Sequence, residues 1–344
     1  MSAGRTFLML ALSLLLLAPA AASEKGGSPA EWVSGLQRNH VLVGTIWSAR
    51  ESRAISRVEL LEVLSRSPIV LLGEIHDNPD HHRLRASLIG ELANRRRASG
   101  QTGPAVVFEH IRADQQHVVD RALHSRRTIG AQALLEELEW ERSGWPSAAM
   151  FTPLFEELLS RVLPILGGNT PAHSIRSVAR EGLEALPVEE RSRMGLDVQL
   201  EAPLNAALIA EIEANHCGLV PESAFPPMAL AQQYRDAHLA HVLLGAMDAH
   251  GAAVLVAGNG HVRSDRGVPW HLRRRVPEAR FVVVAFLEVD GGMADAADYV
   301  MRDPAGQPAV DFVWFTPQAE RPDACERMRE RYEGATGRLP KADR

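Results

Sequence analysis

Residues 69–82 read Ile-Val-Leu-Leu-Gly-Glu-Ile-His-Asp-Asn-Pro-Asp-His-His. The four apolar residues at the start predict a strand that is buried on both faces, as strands are in parallel sheets. Glu74 and His76 follow two positions apart, so an extended backbone places both side chains on the same face. The Asp-Asn-Pro-Asp segment predicts a turn in which Asp80 caps the next helix. A carboxylate and an imidazole are thus expected at the carboxyl end of a strand, where open α/β sheets carry their sites.

Two further apolar runs end in comparable side chains. Residues 104–110 finish in Glu109 and His110, and residues 252–261 lead through Gly-Asn-Gly into His261. Because the carboxyl ends of parallel strands meet at one edge of a sheet, we expect these groups to share a pocket with the first two. Carboxylates and imidazoles suit a divalent metal, haem iron or acid–base catalysis.

The order of apolar and amphipathic segments predicts an α/β fold with a mainly parallel central sheet flanked by helices. The expected strands are a leading strand or edge hairpin at 41–47, then 69–72, 104–110, 163–171, 252–257, 281–287 and 310–315. Helices are expected between them, notably at 81–97 and 227–249. Residues 187–226 carry scattered prolines and weak periodicity, which predicts a helical insertion or lid.

The helix at 227–249 contains a charged residue on its apolar side. At 100° per residue, Gln232 and Arg235 fall inside the apolar arc, and Asp236 lies at its border. A buried Arg is costly unless it is paired, so we expect Arg235 to reach Glu74 or Glu109. Three other side chains lie along another side of this helix. They are either exposed to solvent or form a place where a tyrosine oxygen and imidazoles meet iron. They are Tyr234, His238 and His241.

The amino-terminal residues 1–22 have the basic start, short apolar core and Ala-x-Ala ending of a cleaved secretory signal peptide. Residues 23–34 are predicted to be disordered, residues 35–327 to form the α/β domain, and residues 328–344 to form a charged tail. No Cys lies near the cleavage site, so we expect a soluble periplasmic or secreted protein without a lipid anchor. Removing one Arg with the signal changes the formal charge from −6 to −7, which argues against a nucleic-acid partner.

The chain contains two cysteines, Cys217 and Cys325. In an exported protein such a pair predicts a disulfide that closes a long loop. The alternative is two free thiols.

Six motifs taken in order resemble the ChaN-type haem-binding uptake family, in the superfamily of the Tiki proteases and erythromycin esterases. The resemblance extends over roughly residues 35–327. The motifs are residues 73–82, Glu109-His110, 216–222, 231–236, 258–261 and 311–317. The resemblance implies an α/β fold, a role in haem or iron uptake, a tyrosine ligand to the haem iron and two haems stacked across a homodimer. It also implies contact with haem transport components of the outer or inner membrane.

The resemblance assigns roles to residues of this chain. The haem-binding set is Tyr234, because it lies in the matching helix motif, together with Arg235 and His238. In the Tiki branch, two Gly-x-x-His motifs support metal-dependent peptide cleavage. Those motifs correspond here to residues 73–76 and 258–261, and they imply a metal set of Glu74, His76 and His261.

Three functions remain open at this point. The first is an exported haem or iron carrier without turnover. The second is a metal-dependent peptidase or esterase that binds a divalent metal ion, and the third is a family member whose site is vestigial. The catalytic set of the hydrolase would be Glu74, His76, Glu109, Arg235 and His261. The sequence has no Gly-x-Ser-x-Gly elbow and no P-loop, which argues against a serine hydrolase and a nucleotide site.

Overall fold

The computed structural model describes residues 31–124 and 129–336 of the chain. The expected signal peptide, most of the segment at 23–34 and the end of the charged tail lie outside these residues. Within the described residues, eight strands form one sheet. They are β1 (Ile46–Ser48), β2 (Arg53–Ile55), β3 (Ile69–Leu72), β4 (Ala105–Arg112), β5 (Ile165–Asn169), β6 (Ala253–Val256), β7 (Phe281–Glu288) and β8 (Phe312–Thr316).

The strand order across the sheet is β2-β1-β8-β7-β3-β6-β4-β5. The six strands from β3 to β8 pair with one another in parallel, while β1 is antiparallel to both β2 and β8. This confirms the expected α/β fold with a mainly parallel sheet. The leading hairpin is also present, but its first strand begins at Ile46, because residues 41–44 form turns.

Eleven α-helices connect and cover the strands in the part of the chain that the structure describes. They are α1 (Arg57–Ser65), α2 (Pro79–Ala98), α3 (Gln116–His124), α4 (Ala131–Glu137), α5 (Ala148–Ser160), α6 (Ala172–Glu181), α7 (Val188–Met194), α8 (Ala202–Ala214), α9 (Phe225–His250), α10 (Val268–Arg275) and α11 (Ala324–Thr336). None of the described helices combines the length and apolar character needed to span a membrane.

The sheet is buried between two helical layers. Helices α1 to α5 pack on one face, where they meet side chains such as Leu72 and Phe108. Helices α9 and α10 pack on the other face, against side chains such as Leu71 and Leu255. All four residues of β3 are buried, as the continuous apolar run predicts for a central strand.

The turn after β3 is built differently from the sequence expectation. Asn78 caps α2, since its side-chain oxygen accepts hydrogen bonds from the backbone N–H groups of Asp80 and His81. The Asp80 carboxylate instead accepts the backbone N–H groups of Val33 and Ser34. Asp80 therefore fastens the amino-terminal part of the domain to the start of α2, and the prediction that it caps the helix is wrong.

Candidate functional site

Three neighbouring strands, β3, β6 and β4, end at the same edge of the sheet. Because these strands are parallel, the polar residues that follow them converge there, and helix α9 passes beside the same edge. The structure thereby brings together all the side chains expected in the pocket. They are Glu74, His76, Glu109, Arg235 and His261.

The first half of the site is centred on Glu74, which is 2 % exposed. Its Oε1 is 2.7 Å from His76 Nδ1 and 2.8 Å from His110 Nε2. Its Oε2 contacts the fully buried guanidinium of Arg85 and lies 3.2 Å from His82 Nδ1. A buried carboxylate paired with a buried guanidinium remains charged, because protonating Glu74 would leave the positive charge of Arg85 uncompensated in the core.

The charge on Glu74 determines which nitrogen of His76 carries the proton. An ionised carboxylate only accepts hydrogen bonds, so His76 Nδ1 and His110 Nε2 both donate to it. Burial lowers the pKa of His76, which leaves the ring neutral with an unprotonated Nε2. No hydrogen bond joins that Nε2 to another of the described residues. His76 thus offers a lone pair, and its side chain is 36 % exposed.

The second half of the site is centred on Glu109, on the α9 side of the sheet. Its Oε1 accepts hydrogen bonds from Arg235 Nη2 at 2.6 Å and from His261 Nε2 at 3.0 Å. Its Oε2 accepts the backbone N–H of Gly258 at 2.8 Å. Burial opposes the charged form, but the charge and hydrogen bond of His261 and the charge of Arg235 hold the pKa of Glu109 well below its ordinary value. Arg235 thus pairs with Glu109, one of its two expected partners.

His261 lies between two carboxylates. Its Nδ1 is 2.5 Å from Asp236 Oδ1, and its Nε2 faces Glu109. Burial works against a charged ring, yet Glu109 and Asp236 together raise the pKa of His261 to about 9. The ring is therefore an imidazolium at neutral pH and has no free lone pair for a metal. This geometry argues against His261 as the third metal ligand of the sequence-based set.

His110 occupies the position expected of that third ligand. Donor atoms of Glu74, His76 and His110 all lie within 4.8 Å of one another. Strand alternation turns His110 away from Glu109, as expected, and thereby turns it towards Glu74. Its ring also packs between Trp145 and Phe151, with ring centroids 4.6 and 4.8 Å away.

The His76 ring is seated directly against Gly258. A Cβ atom at position 258 would lie 2.9 Å from both Cε1 and Nε2 of His76. On another side the ring contacts Trp145, whose centroid is 4.9 Å away. His76 therefore bridges the two halves of the site, since it bonds to Glu74 and packs on the residue that bonds to Glu109.

A cavity of about 520 Å³ opens beside His76 and His261. One wall is formed by the strand ends, and the opposite wall is formed by Leu208, Glu211 and Ile212 of α8, with Asn215 just after it. Helix α8 belongs to the segment expected to be an insertion or lid. The structure thus places part of that segment over the candidate site.

Two residues of the expected haem-binding set lie elsewhere. The Tyr234 hydroxyl is 3.1 Å from Glu190 Oε1, and its ring is 1 % exposed within an apolar cluster of α6, α7 and α9. Burial and the charge of Glu190 raise the pKa of Tyr234 to about 12. His238 Nδ1 bonds to the carbonyl of Gly168, also away from the cavity wall.

Sequence reasoning missed Arg85 and Asp236, although both left a signal. Arg85 lies in register with the buried residues Ile89 and Leu92 at i, i+4 and i+7 on α2. A charge on that apolar stripe needs a partner, as for Arg235. Asp236 lay at the border of the apolar arc of α9, where a carboxylate can reach a buried imidazole.

Cys217 and Cys325 form a disulfide with a Cα–Cα distance of 5.5 Å, which confirms the predicted bridge. Cys217 follows α8, and Cys325 lies at the start of α11. The bridge therefore joins the end of the cavity's α8 wall to the carboxyl-terminal helix.

Comparison with known proteins identifies relatives. Residues 60–272 match the family described as haem-binding uptake, Tiki superfamily, ChaN. A solved structure described as cofacial heme binding to ChaN of Campylobacter jejuni is similar, with 21 % identity and a TM-score of 0.61 over 78 % of this chain and 95 % of that one. The erythromycin esterase EreC, a variant in its open conformation, matches with 15 % identity and a TM-score of 0.43 over 82 % of this chain and 99 % of its own. No curated protein matches the chain.

Proposed function

The chain belongs to the ChaN family of haem-binding uptake proteins in the Tiki superfamily, and from this membership we propose that it binds haem in the cavity beside His76. Haem is a flat, largely apolar group whose iron takes an axial ligand from the protein. The residues present suit it, since His76 has an unprotonated Nε2 and Ile75, Leu208 and Ile212 line the same cavity. The volume of about 520 Å³ lies within the range of small-molecule and cofactor sites.

His76 is the ligand that we propose for the haem iron. The observation that carries this assignment is the hydrogen bond between Glu74 and His76 Nδ1, which directs the lone pair to Nε2. A carboxylate or carbonyl partner at the second ring nitrogen is the usual way in which proteins fix a ligating imidazole. Tyr234, the ligand implied by the family resemblance, is the competing candidate, and its neutral phenol would first have to leave Glu190.

A haemin titration followed by absorbance tests both candidates. We expect His76→Ala to weaken haemin binding and to change the spectrum of the ferric iron, whereas Tyr234→Phe leaves both unchanged. Tyr299→Phe is the matched control, because the Tyr299 hydroxyl bonds to the backbone of Asp290 and Met293. A spectrum altered by Tyr234→Phe and unaltered by His76→Ala would reverse the assignment. Absence of any haemin binding would refute the proposal.

We further propose that the protein is an exported carrier in haem or iron uptake, in the periplasm or secreted. The disulfide supports an oxidising compartment, because such bonds persist outside the cytosol. The partners would be haem transport components and, as the cofacial haems of the relative suggest, a second copy of the chain. Mass spectrometry of the exported protein should find a start near Ser23, and sedimentation with and without haemin tests the dimer.

A metal-dependent hydrolase is the second candidate function, because Glu74, His76 and His110 could hold a divalent cation. Such a metal would supply a Lewis acid and an activated water for cleavage of a peptide or ester bond. Metal analysis of the purified protein and cleavage assays with zinc or manganese test this candidate. The hydrolase is favoured if the wild type does not bind haemin and if His110→Ala loses both the bound metal and the cleavage activity.

A further inference from the structure

The segment after β8 is attached both to the loop after β3 and to the segment that follows α8. Its Arg321 contacts the Asp77 carboxylate, with Nε 3.0 Å from Oδ1, and also bonds to Glu288. Arg327 Nη2 lies 3.5 Å from the second oxygen of Asp77. Asp77 directly follows His76, so this segment is attached by charge to the loop that carries the proposed ligand.

The same segment is attached covalently to the opposite wall. Cys325 lies between the two arginines in sequence, and it is bonded to Cys217. Cys217 comes three residues after the end of α8, whose side chains line the cavity across from His76. We define residues 321–327 as the strap, because they connect the site loop with the end of α8.

Packing contributes little to holding the strap. From Arg321 to Glu330, no described residue is buried, and Cys325 itself is only partly covered. The body of α8 packs on α9 and α10, where Leu208 and Ile212 meet Trp270, but residues 213–215 at its carboxyl-terminal end are exposed. One ion pair, between Glu211 and Arg266, also links α8 to the loop after β6. The disulfide is therefore the covalent link between the exposed carboxyl-terminal end of α8 and the strap.

We propose that the Cys217–Cys325 disulfide is a redox-operated latch, and that its reduction by a dithiol opens the cavity and speeds release of the bound ligand. A thiolate of the dithiol attacks one sulfur and forms a mixed disulfide, and its second thiol then displaces that bond. The dithiol becomes a disulfide, and Cys217 and Cys325 each end as a thiol. Both cysteines are partly exposed residues at the surface of the domain. Freed from the strap, α8 retains its packing on α9 and α10 and its ion pair, and its exposed carboxyl-terminal end can move away from the site loop.

The identity of the ligand rests on the proposed haem function, whereas the opening of α8 does not. The test compares oxidised protein with protein that has been reduced, alkylated and freed of reductant. Haemin dissociation into an excess of a haem-scavenging protein gives the release rate. Hydrogen exchange of residues 202–219 without haemin gives the opening of α8. Because the chain has two cysteines, reduction and alkylation act on the one disulfide between them. The double variant Cys217→Ser/Cys325→Ser is the matched control, since the same treatment leaves it unchanged.

We expect the reduced protein and the double variant to release haemin at least about tenfold faster than the oxidised protein, since affinity changes appear mainly in dissociation rates. Faster exchange should be confined to α8 and the strap. Equal exchange in the oxidised and reduced states would overturn the latch, whether or not haemin binds. If haemin does not bind at all, the haem function fails and the exchange measurement still decides the latch. If the double variant does not fold, the reduced and alkylated wild type supplies the same comparison.

Discussion

Replacing Gly258 by Ala tests the proposed role of His76 with the smallest possible change. The added Cβ would lie 2.9 Å from Cε1 and Nε2 of His76. Comfortable contacts between carbon atoms need about 3.5–4.0 Å, so the ring must retreat by roughly 0.6–1.1 Å. The backbone N–H of residue 258, which bonds to Glu109, is retained in Ala.

The magnitude follows from where the displaced ring can go. In the free protein the His76 side chain is 36 % exposed, so it can move outward at little cost. Binding that needs the ring in its original place would have to restore the overpacked contact, which costs about 1–3 kcal/mol. At about 1.4 kcal/mol per tenfold change, this predicts haemin binding that is roughly 5- to 150-fold weaker.

The assay is a haemin titration of the wild type, Gly258→Ala, His76→Ala and the double variant Gly258→Ala/His76→Ala, together with one matched control. Gly260→Ala is that control, because its Cβ would meet its nearest neighbour, Glu211, at an ordinary distance of 3.5 Å. The Gly258→Ala change is also made in a His76→Ala background, where the clash no longer exists. The reasoning is refuted if Gly258→Ala weakens haemin binding as much in the His76→Ala background as in the wild type. It is also refuted if Gly260→Ala weakens binding as much as Gly258→Ala does.

Three further predictions concern stability in urea unfolding. The pKa of His261 is raised from 6.5 to about 9 in the folded protein. The charged ring therefore adds its full contribution to the free energy of unfolding below pH 6.5, and this contribution is lost as the pH rises through about 9. His261→Gln should flatten that alkaline loss, and an unchanged slope would contradict it. Arg85→Met leaves the carboxylate of Glu74 buried without its partner and should cost about 3–5 kcal/mol, a loss that Arg85→Met/Glu74→Gln partly restores. Cys217→Ser should cost about 2–5 kcal/mol, and thiol counting on the unreduced wild type should find none.

The convergence of the site could be predicted because it depends on a few strong constraints. Continuous apolar runs identify buried parallel strands, and the carboxyl ends of such strands share one edge. The pairing of Arg235 was predictable for a different reason. A guanidinium on an apolar helix face has to meet a carboxylate, and the candidates were few.

The division of the site into two halves could not be predicted in the same way. It depends on strand order, and local patterns do not determine that β6 lies between β3 and β4. That order separates Glu74 from Glu109 and gives each its own partners. Strand alternation then turns His110 towards Glu74, although sequence places it next to Glu109.

Tyr234 illustrates the limit of motif matching within a helix. It is adjacent to Arg235 in sequence, but neighbouring residues on an α-helix point about 100° apart. Arg235 faces the sheet edge, so Tyr234 faces α6 and α7, where Glu190 accepts a hydrogen bond from its hydroxyl. A shared motif therefore does not imply a shared cavity.

The charges of the site suggest what kind of ligand the cavity accepts. Glu74, Glu109 and Asp236 carry three negative charges, and Arg85, Arg235 and His261 carry three positive charges in direct contact with them. These groups neutralise one another within the wall and leave no net charge for a ligand to balance. The neutral lone pair of His76 and the apolar side chains of the cavity remain available. This part of the wall therefore offers contacts to an apolar ring system and to a metal centre, but no free ionic partner to a small charged substrate.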